Sequence, residues 1–423
     1  MTRHSTPVAY PAALAVLLLA STLGVMAGAI VMPVLEVIRN DLDVDGTAAG
    51  LVITAHGLAI ALFSPLIGRA IDRWGVRLPM AAGLVLYGLA GGAGTVLTSY
   101  PLLIASRLML GVGAAAVFSG TTVAMLTLYR DGERDRVMGW RTTATTLGGL
   151  VWPLLGGALG GLSWHATFAI YLIGIPLGVA TLVTLPDEAA GQDRQAQPEG
   201  GAVRMLRRYP ALLAWYGLML TTGLLMYSLA VFIPQRLAEL GVHEPLRVSL
   251  FMVAMSIAAG VVGLAYGRLR ARLDYAAMLR ITAACWVAAF GVLGTVGVPA
   301  ILLVAAALFG FANGLLLPTI TVLIGETPPA EQRGRATSLS ATAMFIGQFA
   351  SPLLFGPLMG AVSISTGYLV AAGLSSLILV LLLASTVRDP DVAVSSTRRT
   401  REPAAAAACD DDVDRPTAPL HDR

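Results

Sequence analysis

The sequence predicts an all-α membrane protein with twelve transmembrane helices, arranged as two six-helix bundles of the same orientation. Three observations support this prediction: an apolar composition, a regular series of apolar runs and an internal repeat. Apolar residues make up 56% of the 423-residue chain and charged residues only 13%, whereas soluble proteins have about 25% charged residues. Most of the chain is therefore expected to lie in a lipid bilayer.

Composition also excludes several functional classes. The net charge is only +3, and all 28 basic residues are arginines spread along the chain, so no concentrated basic surface for nucleic acid is expected. Two cysteines, Cys285 and Cys409, are too few for a disulfide framework or a thiolate zinc site. We therefore expect no metal, no cofactor and no nucleic-acid partner.

Twelve apolar runs are long enough to cross the hydrocarbon core, which takes about 20 residues of α-helix. Helices are required because the bilayer offers no water to satisfy backbone N–H and C=O groups. The first run is too long for a signal peptide and is kept as a membrane helix. The predicted helices cover residues 12–38, 47–67, 78–98, 101–128, 137–160, 165–186, 209–236, 247–266, 276–296, 299–325, 337–361 and 366–386.

Arginines in the connections predict the orientation, because arginine-rich connections stay on the cytoplasmic side of a membrane. One set of alternate connections is rich in arginine, and the other holds only Arg39, Arg236 and Arg247. Both termini are therefore expected in the cytoplasm, on a multi-pass protein of the cell membrane. The arginine-rich set contains Arg69, Arg73, Arg77, Arg130, Arg134, Arg136, Arg268, Arg270, Arg272, Arg333 and Arg335.

Polar stretches divide the chain into four parts. We predict an N-terminal six-helix bundle over residues 1–186 and a C-terminal six-helix bundle over 209–386. Residues 187–208 have the proline, glycine and mixed charge of a mobile cytoplasmic linker. Residues 387–423 have few aromatic or branched side chains, which predicts a disordered cytoplasmic tail.

The chain matches itself at an offset of 199 residues, which is the third observation. Gly68-Arg69 aligns with Gly267-Arg268, and Pro153-Leu154-Leu155 aligns with Pro352-Leu353-Leu354. Matches of turn-forming and charged residues in one register indicate a duplication. Because the offset covers six helices, an even number, both copies enter the membrane in the same direction. Two like bundles that face each other leave a cleft between them, which predicts a transporter and not an enzyme.

The connection between the second and third helices reads Gly68-Arg69-Ala70-Ile71-Asp72-Arg73-Trp74-Gly75-Val76-Arg77. It resembles the signature turn of the major facilitator superfamily, with Val76 in place of an arginine. The resemblance implies the fold predicted above and a gate in which the acidic residue pairs with the N-terminus of the eleventh helix, near residues 336–338. An arginine-rich turn without a gating role is the alternative. The implied gating residues are Gly68, Asp72, Arg73, Gly75 and Arg77.

Arg107 lies inside the fourth predicted helix, in the run Arg107-Leu108-Met109-Leu110-Gly111-Val112-Gly113. The run is similar to a second pattern of the superfamily, in which this arginine is linked to proton movement. An arginine within the membrane is costly and normally marks a water-filled path or a specific partner. The alternative is snorkelling of the side chain to the outer surface, about 9 Å away at 1.5 Å per residue.

The fifth predicted helix resembles the motif of the drug:proton antiporters of the superfamily, with Trp152 where the motif has glycine. Glycines at such spacings let two helices approach closely, and proline bends the helix. The resemblance implies export, because importers of the superfamily generally lack this motif. Generic small-residue packing around a proline kink is the alternative. The motif residues are Gly139, Gly148, Pro153, Gly156 and Gly157.

We expect proton coupling to involve Glu36 near the outer end of the first helix, His56 in the second and Arg107 in the fourth. A proton on His56 or Glu36 would change the balance between conformations, and Arg107 would favour its release. Alternatively, Glu36 is a solvated boundary residue and His56 a packing residue. Arg141, one turn inside the fifth helix, is expected to reach back to the cytoplasm.

The geometry of the superfamily places the first, fourth, seventh and tenth helices around the cleft. The residues implied to line it offer aromatic faces, a few hydrogen-bonding groups and adaptable methionines. Without a strong charge cluster, we expect a neutral or weakly cationic amphipathic substrate; for each residue singly, a packing role is an equal alternative. The implied lining residues are Met26, Trp215, Tyr216, Thr222, Met226, Tyr227 and Asn313.

Together these features favour a proton-coupled exporter of small amphipathic compounds, drugs or metabolites, that works as a monomer in the bilayer and is driven by the proton gradient. An importer or facilitator of a small metabolite is an open alternative, because the first helix lacks the mid-membrane carboxylate of many drug antiporters. A membrane sensor or enzyme is least favoured, since no metal cluster or nucleophile–base arrangement is evident.

Overall fold

The computed structural model describes residues 10–186, 201–329 and 332–385, and nearly all of them are helical. The predicted tail and residues 187–200 of the predicted linker lie outside this range. The helices are α1 (Pro11–Ala29), α2 (Leu35–Asp41), α3 (Gly46–Trp74), α4 (Arg77–Gly92), α5 (Tyr100–Leu128), α6 (Asp131–Gly160), α7 (Trp164–Ala169), α8 (Gly174–Thr184), α9 (Gly201–Arg208), α10 (Ala211–Glu239), α11 (Pro245–Arg270), α12 (Tyr275–Thr295), α13 (Pro299–Glu326), α14 (Arg333–Ala361) and α15 (Ile364–Ala384).

Eleven spans in the described residues are long and apolar enough to cross a membrane. The predicted fifth helix is present as α6 and has 30 residues, but it is absent from that set. The helix begins with several charged residues and continues with many threonines and glycines, so its composition is polar for a membrane span. The structure therefore confirms an all-helical, multi-pass membrane chain.

Two predicted helices are interrupted by tight 3-10 turns. The first helix breaks between α1 and α2 at Met32–Val34, where Pro33 lacks a backbone N–H and cannot continue the helical ladder. The sixth breaks between α7 and α8 at Ile170–Ile173. The predicted continuous helices over 12–38 and 165–186 are corrected accordingly.

The end of the predicted linker is helical. Residues 201–208 form α9, and Met205 within it is only 3% exposed. An apolar side chain thus anchors the last part of a segment that its polar composition predicted to be mobile.

The helices before and after α9 pair in the same pattern. In the first half, α1 packs against α6, α3 against α5 and α4 against α8; in the second half, α10 packs against α14, α11 against α13 and α12 against α15. These pairs correspond under the sequence repeat. The two halves meet where α3 packs against α14 and α6 packs against α11.

The halves touch at the end of this interface that carries few arginines, here called the arginine-poor end. Pro352 of α14 lies against Gly50 of α3, and Pro245 and Ser249 of α11 lie against Gly157 of α6. A side chain on either glycine would overlap its neighbour, so the helices approach as closely as glycine allows.

The halves separate toward the opposite, arginine-rich end. Each of the four interface helices has a glycine 18 residues from one of these contacts, which is about five helical turns and therefore the same helix face. No described atom lies within 4 Å of the Cβ position at any of the four. A cleft therefore opens toward the arginine-rich end. The four residues, here called the gate glycines, are Gly68 of α3, Gly139 of α6, Gly267 of α11 and Gly334 of α14.

Candidate transport cleft

Polar groups from both halves meet at the closed end of the cleft. A methyl group on Gly28 of α1 would sit 3.0 Å from the hydroxyl oxygen of Tyr227 on α10 and 3.4 Å from Cε1 of His56 on α3. Nearby, Oε1 of Gln348 on α14 lies 3.7 Å from the Cβ position of Gly57 on α3. Tyr227, predicted to line the cleft, thus reaches across to the first half.

His56 is buried at this point, with 3% of its surface exposed. Its Nδ1 forms no hydrogen bond with the described residues, and Arg107 is near enough to act on it electrostatically. The backbone of His56 packs against Gly111 of α5, where no side chain would fit. His56 therefore packs tightly through its backbone, and Nδ1 of its imidazole has no partner among the described residues.

Arg107 is fully buried, so it does not snorkel to the surface. Its Nη2 donates hydrogen bonds to the carbonyl oxygens of Gly91, at 2.7 Å, and Ala90, at 3.2 Å, on α4. The guanidinium carbon stands 4.7 Å from the ring centre of Phe168 and 5.0 Å from that of Tyr171. Aromatic faces and backbone carbonyls thus replace the counter-ion that a buried cation usually needs.

Two tyrosines join this cluster to α1. The Tyr171 hydroxyl donates to the Ala27 carbonyl at 2.8 Å, and the Tyr87 hydroxyl donates to the Leu23 carbonyl at 2.7 Å. Sequence reasoning missed both tyrosines and Phe168. The available signal was the cost of Arg107 itself, since a buried guanidinium requires partners on neighbouring helices.

This geometry predicts an unusual order of stabilities at Arg107. Arg107→Lys keeps a buried charge, but one ammonium lacks the planar stacking of a guanidinium, so we expect unfolding to be easier by about 3 kcal/mol. Arg107→Met removes the charge together with its desolvation cost, so we expect a smaller loss in the free energy of unfolding. Thermal unfolding in detergent measures the order; a lysine variant as stable as the parent, beside a less stable methionine variant, would contradict it.

Glu36 does not join His56 and Arg107, which corrects the predicted three-residue group. Its carboxylate forms an ion pair with Arg39 at 2.6 Å and accepts a hydrogen bond from Asn40 at 3.3 Å. It lines a cavity of about 660 Å³ at the arginine-poor end. Of the two interpretations drawn from sequence, the boundary residue fits this placement.

The other predicted lining residues divide by burial. Met26 and Thr222 are fully buried, and Thr222 donates to the Leu218 carbonyl of its own helix at 2.7 Å, so neither lines the open cleft. Asn313 is 7% exposed, and its Oδ1 accepts no hydrogen bond from the described residues. Trp215, Tyr216 and Met226 are partly buried along α10.

The antiporter-like motif lies where α6 contacts both α1 of its own half and α11 of the other half. A side chain on Gly156 would overlap the backbone carbonyl of Ile30, directly after the end of α1, whereas Gly157 faces α11. Gly148 faces Thr22 of α1 beside Trp152, whose indole N–H donates to the Thr22 carbonyl at 3.2 Å. The tryptophan therefore fits beside α1 without widening the contact. Pro153 lies inside the helix, and Gly139 is a gate glycine.

The predicted gating turn lies at the open end of the cleft. Gly75 ends α3 with φ 74° and ψ 173°, a conformation that only glycine adopts readily. Arg77, at the start of α4, donates to the Leu182 carbonyl, and the Arg73 guanidinium lies 5.8 Å from the Trp74 ring centre. Asp72 is exposed at the same end of α3.

Arg141 extends toward α5, whereas the sequence led us to expect that it reaches back to the cytoplasm. Its guanidinium carbon lies 5.8 Å from the ring centre of Phe118 on α5. Phe118 in turn lies 3.8 Å from the Cβ position of Gly24 on α1. The Arg141 side chain therefore lies beside α5 and α1.

The model of the Major Facilitator Superfamily matches residues 17–283 and 221–411. The chain belongs to the major facilitator superfamily. It is accordingly a transporter and not an enzyme, which confirms the family resemblance read from its motifs.

Relatives of this superfamily chain include a multidrug resistance protein, a multidrug efflux pump and a hexuronate transporter. It is 25% identical over 175 residues to multidrug resistance protein 1 of Bacillus subtilis (strain 168), covering 40% of this chain and 45% of that one. It is 25% identical over 168 residues to the multidrug efflux pump SdrM of Staphylococcus aureus (strain N315), covering 40% and 37%. A hexuronate transporter of Bacillus subtilis is 26% identical over 137 residues, covering 32% of each. The matched segments span less than half of each relative.

Solved structures show the same fold for this superfamily chain. The D-xylose-proton symporter superimposes with a TM-score of 0.75 at 15% identity, covering 90% of this chain and 99% of the symporter. The nucleoside transporter NupG superimposes with a TM-score of 0.72 at 15% identity, covering 88% and 98%. At such low identity the likeness establishes the fold alone.

Proposed function

We propose that this chain is a proton-coupled exporter of small amphipathic compounds that works by alternating access. This proposal is based on the shape of the cleft. The cleft is closed at the arginine-poor end and open at the arginine-rich end, between the same faces of the same four helices. The gate glycines offer small, complementary surfaces for closing the open end, and rocking of two like halves would then open the other end. The multidrug efflux pump among the relatives supports the direction.

We further propose twelve spans in two six-helix bundles, with α6 as the span that composition does not identify. At the arginine-poor end α6 lies between Ile30, directly after the end of α1, and Pro245 of α11. Its exposed apolar side chains, Leu147, Val151 and Leu155, recur every four residues and form one stripe for lipid. The polar residues of α6 can then face the cleft.

The proposed location is the cytoplasmic membrane, with both termini in the cytoplasm and the protein acting as a monomer. The arginine-rich end would face the cytoplasm. The cleft in this conformation would then open inward, so that it could load a compound from the cytoplasm. Gly68 and Gly334, on α3 and α14, would meet when the cleft closes, and this would bring Asp72 toward the start of α14.

His56 is the residue that we propose to bind the coupling proton. It lies beside α1 and Tyr227, where the halves meet, so a change in its charge would act on the contact that must loosen. The acidic residues of the described helices all lie near helix ends, which leaves no carboxylate at that depth. Arg107 would act with His56, while Glu36 would not take part.

Purified protein in liposomes tests the proposal, with a panel of fluorescent amphipathic acids, bases and neutral compounds as probes. We expect proton-gradient-driven movement of at least one compound from the arginine-rich side, without chemical change. His56→Gln should lower the driven rate at least tenfold and spare exchange at equal pH, while the matched control Glu36→Gln should spare both. Movement that ignores the gradient would indicate a facilitator, and movement in the opposite direction an importer.

A further inference from the structure

We propose that the cleft takes amphipathic anions, whose acidic group pairs with Arg141 while the apolar part packs on Phe118. This inference rests on the proposed transport cleft and names the chemistry of its ligand. It replaces the expectation of a neutral or weakly cationic substrate, which was based on the lack of a strong charge cluster among the residues implied to line the cleft.

Arg141 and Phe118 lie at the same distance from the arginine-rich end. Arg141 is ten residues from the start of α6, and Phe118 is ten residues from the end of α5. At 1.5 Å per residue, both counts place the Cα atoms about 15 Å from these helix ends. A side chain that snorkelled would extend toward that end, but this one extends to Phe118.

Helix geometry places this pair on the inner side of the bundle. Arg141 is seven residues before Gly148 and eleven before Trp152, so it shares within about 20° the face of α6 that packs on α1. Phe118 is 46% exposed, and its ring lies 3.8 Å from the Cβ position of Gly24 on α1. The pair therefore lies beside α1, and the ring keeps exposed surface on which an apolar group can pack.

Arg141 also has hydrogen-bonding capacity to offer. Its only recorded side-chain partner in the described residues is the Phe118 ring, whereas Arg107 is bound to carbonyls and enclosed by rings. A guanidinium fork matches the two oxygens of a carboxylate, sulfonate or phosphate. Because no described carboxylate lies in the middle of a span, no negative charge there would repel an entering anion.

Binding of matched pairs to the purified full chain tests this inference. Each pair is an aryl sulfonate and its neutral sulfonamide, with one, two or three fused rings, and binding is read from probe fluorescence in detergent. We expect at least one sulfonate to bind tenfold more tightly than its sulfonamide. Arg141→Gln should remove that preference and Arg141→Lys should keep part of it. The matched control is Arg136→Gln, because Arg136 also stacks on a ring of α6, at 4.6 Å from Trp140, but is exposed.

Equal binding within every pair, no sulfonate binding at all, or an unchanged preference in Arg141→Gln would overturn the inference. If Arg141→Gln does not fold, the inference still requires a preference that is reduced in Arg141→Lys and unchanged in the Arg136→Gln control. Failure of transport is a separate result: sulfonates that bind through Arg141 without exchange in liposomes would contradict the proposed function only. Gradient-driven export of basic compounds at the same rate in the parent and in Arg141→Gln would contradict the inference only.

Discussion

Gly156→Val is expected to destabilise the protein by about 3 kcal/mol or more and to remove transport with it. The added Cβ would overlap the Ile30 carbonyl, which is backbone and cannot rotate away. Relief requires that α1 and α6 move apart, and overpacking of this kind costs most where neighbours cannot relax. Thermal unfolding in detergent and the yield of folded protein measure the effect.

The matched control for this prediction is Gly139→Val, in the same helix and motif. No described atom lies near the Cβ position of Gly139, and valine has no worse helix propensity than glycine. A Gly156→Val protein that unfolds at the same temperature as Gly139→Val would show that the contact with α1 is not tight.

Gly139→Val is itself expected to abolish transport while leaving the protein as stable as the parent. Gly139 and Gly267 are gate glycines on facing helices, and valine at one of them would hold α6 away from α11. The cleft would then stay open at the arginine-rich end. Rates in liposomes should fall at least a hundredfold, because an alternating-access cycle cannot proceed with one conformation excluded.

A cysteine reporter separates a blocked cycle from an unfolded protein. In a chain with Cys285 and Cys409 replaced by serine, Thr142→Cys offers an exposed site on α6. A polar maleimide should label it during turnover less in the parent than in Gly139→Val, where closing is prevented. Parental transport rates in Gly139→Val, or the same labelling in both proteins, would contradict the gating role of this glycine.

The repeat and the apolar runs were enough to predict most helices to within a few residues, because membrane insertion imposes length and hydrogen-bonding limits that sequence shows directly. Breaks such as Met32–Val34 were missed because the residues around Pro33 are as apolar as the rest of the helix. The packing of Met205 depends on a tertiary contact, and composition alone does not reveal such contacts.

The candidate site was less accessible from sequence, because its residues depend on which way long side chains turn. Two interpretations of Arg107 were open from the sequence, and its burial fits the one with specific partners. Those partners come from α4, α7 and the turn before α8, which the sequence did not indicate. Glu36 was grouped with Arg107 only because both were expected in the outer half of the membrane. In the structure, the Glu36 carboxylate forms an ion pair with the nearby Arg39. For Arg141, position near a helix start favoured the solvent, whereas its guanidinium lies beside Phe118.

The polarity of α6 has a consequence for biogenesis. A segment with this composition partitions weakly from the translocon into lipid on its own. Two helices, α1 and α11, pack against it, and α11 is synthesised only after α9. We therefore expect α6 to integrate fully late in synthesis. Chains that terminate before α11 would expose an uncovered threonine-bearing surface to membrane quality-control proteases.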